Sequence, residues 1–137
     1  MTMVLADDLQ EKLITLALEA RHKAYAPYSN YTVGAALLAA SGQIYQGVNI
    51  ENAAYPAGIC AERVAVFKAV SEGERGFQAL AVATENGGAP CGSCRQVMAE
   101  FNLDMLVLIL DSGGRVLRRA TVRELLPGAF GPADLGK

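Results

Sequence analysis

Apolar positions along the chain change their spacing several times, and each change marks an element. Leu9, Leu13, Leu16, Ala17, Ala20 and Ala24 recur at helical spacing, which predicts an amphipathic first helix. Ala26-Pro27-Tyr28-Ser29 ends it, because Pro27 cannot continue a helix and restricts Ala26. Residues 32–40 read as a buried strand, turned at Ser41-Gly42 into a second strand over 43–48. So short a connection predicts an antiparallel hairpin. A loop over 49–59 leads into a helix over 60–72, stopped near Gly73. Ala61, Val64, Ala65, Val66, Phe67, Ala69 and Val70 make this helix apolar around almost its whole circumference. Such a helix needs cover on more than one side, and a single sheet covers only one, so self-association is expected. A strand over 79–84, a Gly-rich turn, a helix over 92–101 and a strand over 105–111 follow. Ser112-Gly113-Gly114 then turns the chain into a last short strand over 115–118, a short helix over 122–126 and a Gly- and Pro-bearing tail. The order α-β-β-α-β-α-β-β-α predicts an α/β fold, a three-layer α/β/α domain with a five-stranded mixed sheet.

The 137 residues fit one compact domain spanning 1–137 with one core, and 52% of them are apolar, well above the level of disordered chains. The longest apolar runs are strand-sized, far short of a membrane span. The first residues lack the pattern of a secretory signal, so the expected location is cytoplasmic, with no membrane partner. Net charge is −2 and the 12 basic residues form no run, which argues against a nucleic-acid-binding surface and for a small-molecule substrate.

The chemistry concentrates in Cys60-Ala61-Glu62 and Pro90-Cys91-Gly92-Ser93-Cys94, each at the entry of a helix. Exposed amides and the helix macrodipole stabilise thiolates there. Cys91 and Cys94 can present both sulfurs to one ion, with Cys60 as a third ligand, and zinc suits such soft donors. The 3 cysteines and 1 histidine leave only His22 as a further ligand of that kind, and it sits between Arg21 and Lys23 on the polar side of the first helix. Three protein ligands and an open position mark a catalytic rather than a structural zinc. Buried free cysteines, or a redox pair of Cys91 and Cys94, are alternatives, but neither uses Cys60 beside Glu62.

The signature of zinc deaminases, H-x-E or C-x-E followed by P-C-x-x-C, is present in its cysteine form. Around it stand Tyr25-Ala26-Pro27-Tyr28-Ser29, Val33-Gly34-Ala35-Ala36-Leu37, Asn49-Ile50-Glu51-Asn52-Ala53-Ala54-Tyr55-Pro56, Cys60-Ala61-Glu62-Arg63, Cys91-Gly92-Ser93-Cys94-Arg95-Gln96 and Glu124-Leu125-Leu126-Pro127-Gly128-Ala129-Phe130. Together these blocks resemble the small, homotetrameric cytidine deaminase family. The resemblance implies one zinc ion per subunit on Cys60, Cys91 and Cys94, with Glu62 as the catalytic proton carrier. It implies that Asn49 and Glu51 bind the nucleoside sugar, that the Ala61 backbone contacts the base edge, and that Phe130 stacks on a base in a neighbouring subunit. Tyr55 corresponds to an aromatic at the subunit contact, close to the site. Tyr31 stands where the family often has Phe, so its hydroxyl needs a partner if buried. Arg63 offsets the charge of three thiolates around one dication by donating to ligand sulfurs.

The function this implies is hydrolytic deamination of cytidine, and of deoxycytidine, with ammonia release, in pyrimidine salvage. A deaminase for a nucleoside antibiotic such as blasticidin S is the nearest rival, disfavoured by the block over 49–56. A zinc module without catalysis leaves Glu62 without a role, and an editing deaminase of polynucleotides lacks its basic stripe.

Overall fold

The computed structural model describes residues 5–137. Its elements run in chain order as helix α1 (Asp7–Arg21), strands β1 (Gly34–Ala39) and β2 (Ile44–Val48), helix α2 (Ala61–Ser71), strand β3 (Phe77–Ala83), helix α3 (Gly92–Phe101), strands β4 (Leu106–Leu110) and β5 (Val116–Thr121), and helix α4 (Val122–Leu125). The sheet is five-stranded in the order β2-β1-β3-β4-β5. Only β3 and β4 run parallel, joined through α3, while every other neighbouring pair is antiparallel.

Both faces of the central strands are covered, which is why they read as continuous apolar runs rather than as alternation. Ala35, Leu37, Leu80, Val82, Val107 and Ile109 face the helical layer that carries Ala65, Val66, Cys94 and Met98. Ala36, Leu38, Ala79, Ala81, Leu106 and Leu108 face Leu13 and Ala17 of α1. The expected three layers are present. None of the described helices is long and apolar enough to cross a membrane.

The boundaries differ from the sequence reading at informative places. Helix α1 stops at Arg21 rather than running through Ala24, because Tyr25 forms a bridge with Ile50. There Tyr25 N donates to Asn49 O at 3.0 Å, and Glu51 N donates to Tyr25 O at 2.8 Å, fixing the chain in extended form. Strand β5 extends to Thr121 instead of ending at Arg118, since its backbone stays paired with β4 as far as Leu106. As an edge strand it exposes Leu117, Arg118 and Arg119, so its sequence lacked the apolar pattern of a buried strand. Two 3-10 turns, Tyr55–Ala57 and Pro132–Leu135, lie within segments expected to be irregular.

Helix α2 lies very close to β2 at Gly47. A Cβ there would come within 2.2 Å of Ala61 O and 2.6 Å of Ala65 N, so only glycine fits. This contact sets the height of α2 over the sheet, and with it the position of Cys60 and Glu62.

Candidate active site

Cys60 is the N-cap of α2 and Cys91 the N-cap of α3, so both helices begin at the same place. Cys94 follows one turn into α3 and is fully buried. The three sulfurs all lie within 4.8 Å of one another, with Cys60 to Cys91 at 3.8 Å and Cys91 to Cys94 at 3.5 Å. Tetrahedral ligands with metal–sulfur bonds of about 2.3 Å stand roughly 3.8 Å apart, so the thiols fit a zinc ion. Among the described residues, no other His, Cys, Asp or Glu joins the cluster. His22 is exposed, at the C-cap of α1.

The thiols are not electrostatically alike. Hydrogen bonding from Cys94, aided by Arg63 and Cys91, pulls the Cys60 thiol down to about 5. Cys94 is pushed up, first by that same hydrogen bond and then by burial. Helix amides were expected to favour thiolates at all three positions; without a cation, neighbouring sulfurs cannot all ionise, and the most buried keeps its proton. The Arg63 guanidinium reaches Cys60 Sγ through Nη2 at 3.5 Å, while its buried Nε has no hydrogen-bond partner. It therefore points at the cluster it was expected to neutralise.

Glu62 is 5% exposed in the first turn of α2. Burial is the main cause that pushes its carboxyl up to about 7, with the neighbouring Cys60 charge adding to the rise and the Glu62 backbone amide and Arg63 opposing it. A carboxyl titrating near neutrality can both accept and return a proton.

These groups border a cavity of about 640 Å³, whose wall includes Cys60, Glu62, Arg63 and Cys91 at one end and Asn49, Glu51, Tyr31 and Tyr55 elsewhere. Asn49 holds the wall by its own side chain, accepting from Val33 N and donating to Tyr31 O, each at 2.8 Å. Glu51 accepts from Tyr28 N and Ser29 N at 3.0 and 3.1 Å and from the Ser29 hydroxyl, which holds its carboxyl below the usual range. The Tyr31 hydroxyl has the partner it needs, donating to Asn86 Oδ1 at 2.7 Å. Gly88 lies against that ring: a Cβ on it would come within 2.5 Å of the hydroxyl.

Three of the expected site residues are not in this wall: Cys94 lies buried behind it, and Ala61 and Phe130 also stand outside it. Ala61 is fully buried in the core, and Phe130, expected at a neighbouring subunit's cavity, is 59% exposed and does not line its own. The wall also holds residues that sequence reasoning passed over, among them Tyr28, whose ring packs edge-on against Tyr55 at 6.2 Å, and Thr84. Thr84 follows the end of β3, beside the parallel β4, and is 2% exposed; its hydroxyl accepts from Gly87 N and Gly88 N, both at 2.8 Å. A polar residue just beyond the carboxyl end of a parallel strand was the available clue.

Residues 7–110 match the model of the cytidine and deoxycytidylate deaminase zinc-binding region. The chain belongs to the cytidine and deoxycytidylate deaminase family. It is 55% identical over 128 residues to the cytidine deaminase of Sporosarcina psychrophila, covering 91% of this chain and 93% of that one. With the cytidine deaminase of Halalkalibacterium halodurans it shares 49% identity over 92% of this chain and 97% of the other. The crystal structure of cytidine deaminase from Burkholderia pseudomallei superposes with a TM-score of 0.84 at 46% identity, covering 88% of this chain and 98% of that one. The family assignment and the fold expected from the residues agree.

Proposed function

We propose that this chain, as a single domain over 1–137, is a zinc-dependent cytidine deaminase that converts cytidine and deoxycytidine to uridine and deoxyuridine. One observation carries the reading: the three-thiol cluster, through Cys60 and Cys91, and a buried carboxyl titrating near neutrality border the same cavity as Asn49 and Glu51. The names of the relatives support cytidine over a nucleoside antibiotic. Among the described residues of the wall, Arg63 is the only Lys or Arg, and it faces the cysteines. This chain's wall thus offers a 5′-phosphate no cation away from the cysteines, which favours free nucleosides over nucleotides.

Cys60, Cys91 and Cys94 hold the metal in this reading. Zinc, when bound, supplies Lewis acidity that makes water a nucleophile near neutral pH. Glu62 takes the proton of the attacking water and delivers it to ring N3 as the C4–O bond forms. Glu62 then carries the second proton to the exocyclic amine, the C4–N bond breaks, and ammonia leaves. Arg63 lowers the charge that the thiolates accumulate. Asn49 and Glu51 bind the sugar, while Tyr31 and Tyr55 flank the nucleoside. Phe130, exposed on its own chain, reaches the cavity of a neighbouring subunit in a homotetramer whose unpartnered α2 surface, including Phe67 at 46% exposure, packs at the centre. The setting is pyrimidine salvage in the cytoplasm.

The test is absorbance-monitored turnover of cytidine, deoxycytidine, their 5′-monophosphates and blasticidin S by zinc-loaded protein, with ammonia assayed in parallel. We expect turnover of both nucleosides, one zinc per chain, and loss of turnover by about 10²–10⁴-fold or more in Glu62→Gln with zinc retained. Failure to turn over either nucleoside, or near-normal turnover by zinc-replete Glu62→Gln, overturns the reading.

A further inference from the structure

The helix that carries Cys91 and Cys94 also grips the C-terminal tail. Arg95 spans two carbonyls with one guanidinium, donating from Nε to Pro90 O and from Nη1 to Leu125 O, both at 2.7 Å. The next residue, Gln96, donates from Nε2 to Phe130 O at 2.8 Å. Residues 127–130 form neither helix nor strand, and their apolar attachment comes through Ala129 against the core. Among the described residues, the Gln96 bond is the only hydrogen bond joining 127–130 to the rest of the chain. Gln96 is exposed on α3, where a side chain with no task would extend into water. Instead it closes a contact 34 residues along the chain, at the residue whose ring projects outward.

We propose that Gln96 is a positioning residue that fixes the presentation of the Phe130 ring to the nucleoside, with Arg95 anchoring the start of the same tail. The inference rests on the reading of Phe130 as a ring lent to a neighbouring cavity. A ring on an untethered tail would have to be ordered at every binding event, whereas the Gln96 bond orders it beforehand. Gln96 touches no reacting atom, so its loss weakens nucleoside and transition state alike: KM rises and kcat holds.

The experiment uses the zinc-loaded full chain and three variants, Gln96→Ala, Phe130→Ala and the double variant. Uridine binding by calorimetry and cytidine kinetics are measured beside zinc content and Tm. Gln96→Ala is expected to raise the uridine Kd and the cytidine KM about fivefold, with kcat within about twofold and zinc and Tm unchanged. In the Phe130→Ala background the same substitution should add nothing. Mixing Gln96→Ala with Glu62→Gln chains should restore sites of normal KM, because an intact tail is then lent to an intact Glu62. An additive double variant, loss of zinc, or a kcat defect that mixing does not restore overturns the proposal, and each would assign Gln96 to its own metal loop. If Phe130→Ala weakens uridine binding and Gln96→Ala does not, the positioning role alone fails. If Phe130→Ala leaves uridine binding unchanged, the underlying reading of Phe130 fails, and this role with it.

Discussion

At the scale of single residues, the burial of Glu62 carries a cost that shows in folding. Its folded-state carboxyl titrates at about 7 because burial disfavours the charge, against about 4.3 in an unfolded chain. A raised carboxyl holds its proton better in the folded state, so its contribution to stability is fully present below the unfolded value. That contribution is lost as pH rises toward 7. Metal-free Glu62→Gln should therefore match the metal-free parent near pH 4.5 and become more stable than it by pH 8. A difference of about 2–3 kcal/mol is expected from chemical denaturation at the two pH values. Tyr31 offers a second test. Gly88→Ala should raise KM, since the added carbon would meet the Tyr31 hydroxyl, and Tyr31→Phe combined with it should recover most of the loss. If the double variant were worse than Gly88→Ala alone, that contact would not be what forbids a side chain at 88. The candidate cysteines, Glu62 and Arg63 were legible because metal chemistry demands particular residue types at fixed spacing. Tyr28 was not, because only the folded chain shows that its position meets the cavity, and Thr84 offered no more than its place after a strand whose parallel pairing the fold decides.

At the scale of elements, the turns of the β1–β2 hairpin and the start of each cysteine-bearing helix could be read closely, since Gly, Pro and helix-entry chemistry act locally. Helix α3 has the boundaries its sequence implied. Strand β5 and the end of α1 were misjudged, because long-range pairing with Leu106 and Ile50 decided them rather than local preference. The approach of α2 to β2 is another long-range feature with a measurable consequence. Gly47→Ala places a carbon against backbone atoms that cannot rotate away. We expect a loss of about 3 kcal/mol or more in denaturant unfolding, with zinc affinity falling as α2 lifts. Full stability in this variant would show that α2 moves freely against the sheet.

At the scale of the whole molecule, α2 leaves Phe67 46% exposed and Val64 partly so, an apolar surface that a second chain can cover. Phe67→Asp should lower the mass found by light scattering from that of a tetramer to that of a smaller species, because an assembled interface would bury the new charge unpaired. An unchanged mass would remove α2 from the assembly contact. The outward ring of Phe130 has a consequence that belongs to no isolated chain. In the proposed assembly each folded chain would supply the cysteine end of one cavity and the aromatic cover of another, so the number of complete sites would obey mass action. Dilution would then silence such an assembly with every chain still folded, and local protein concentration would become a control on flux without any effector.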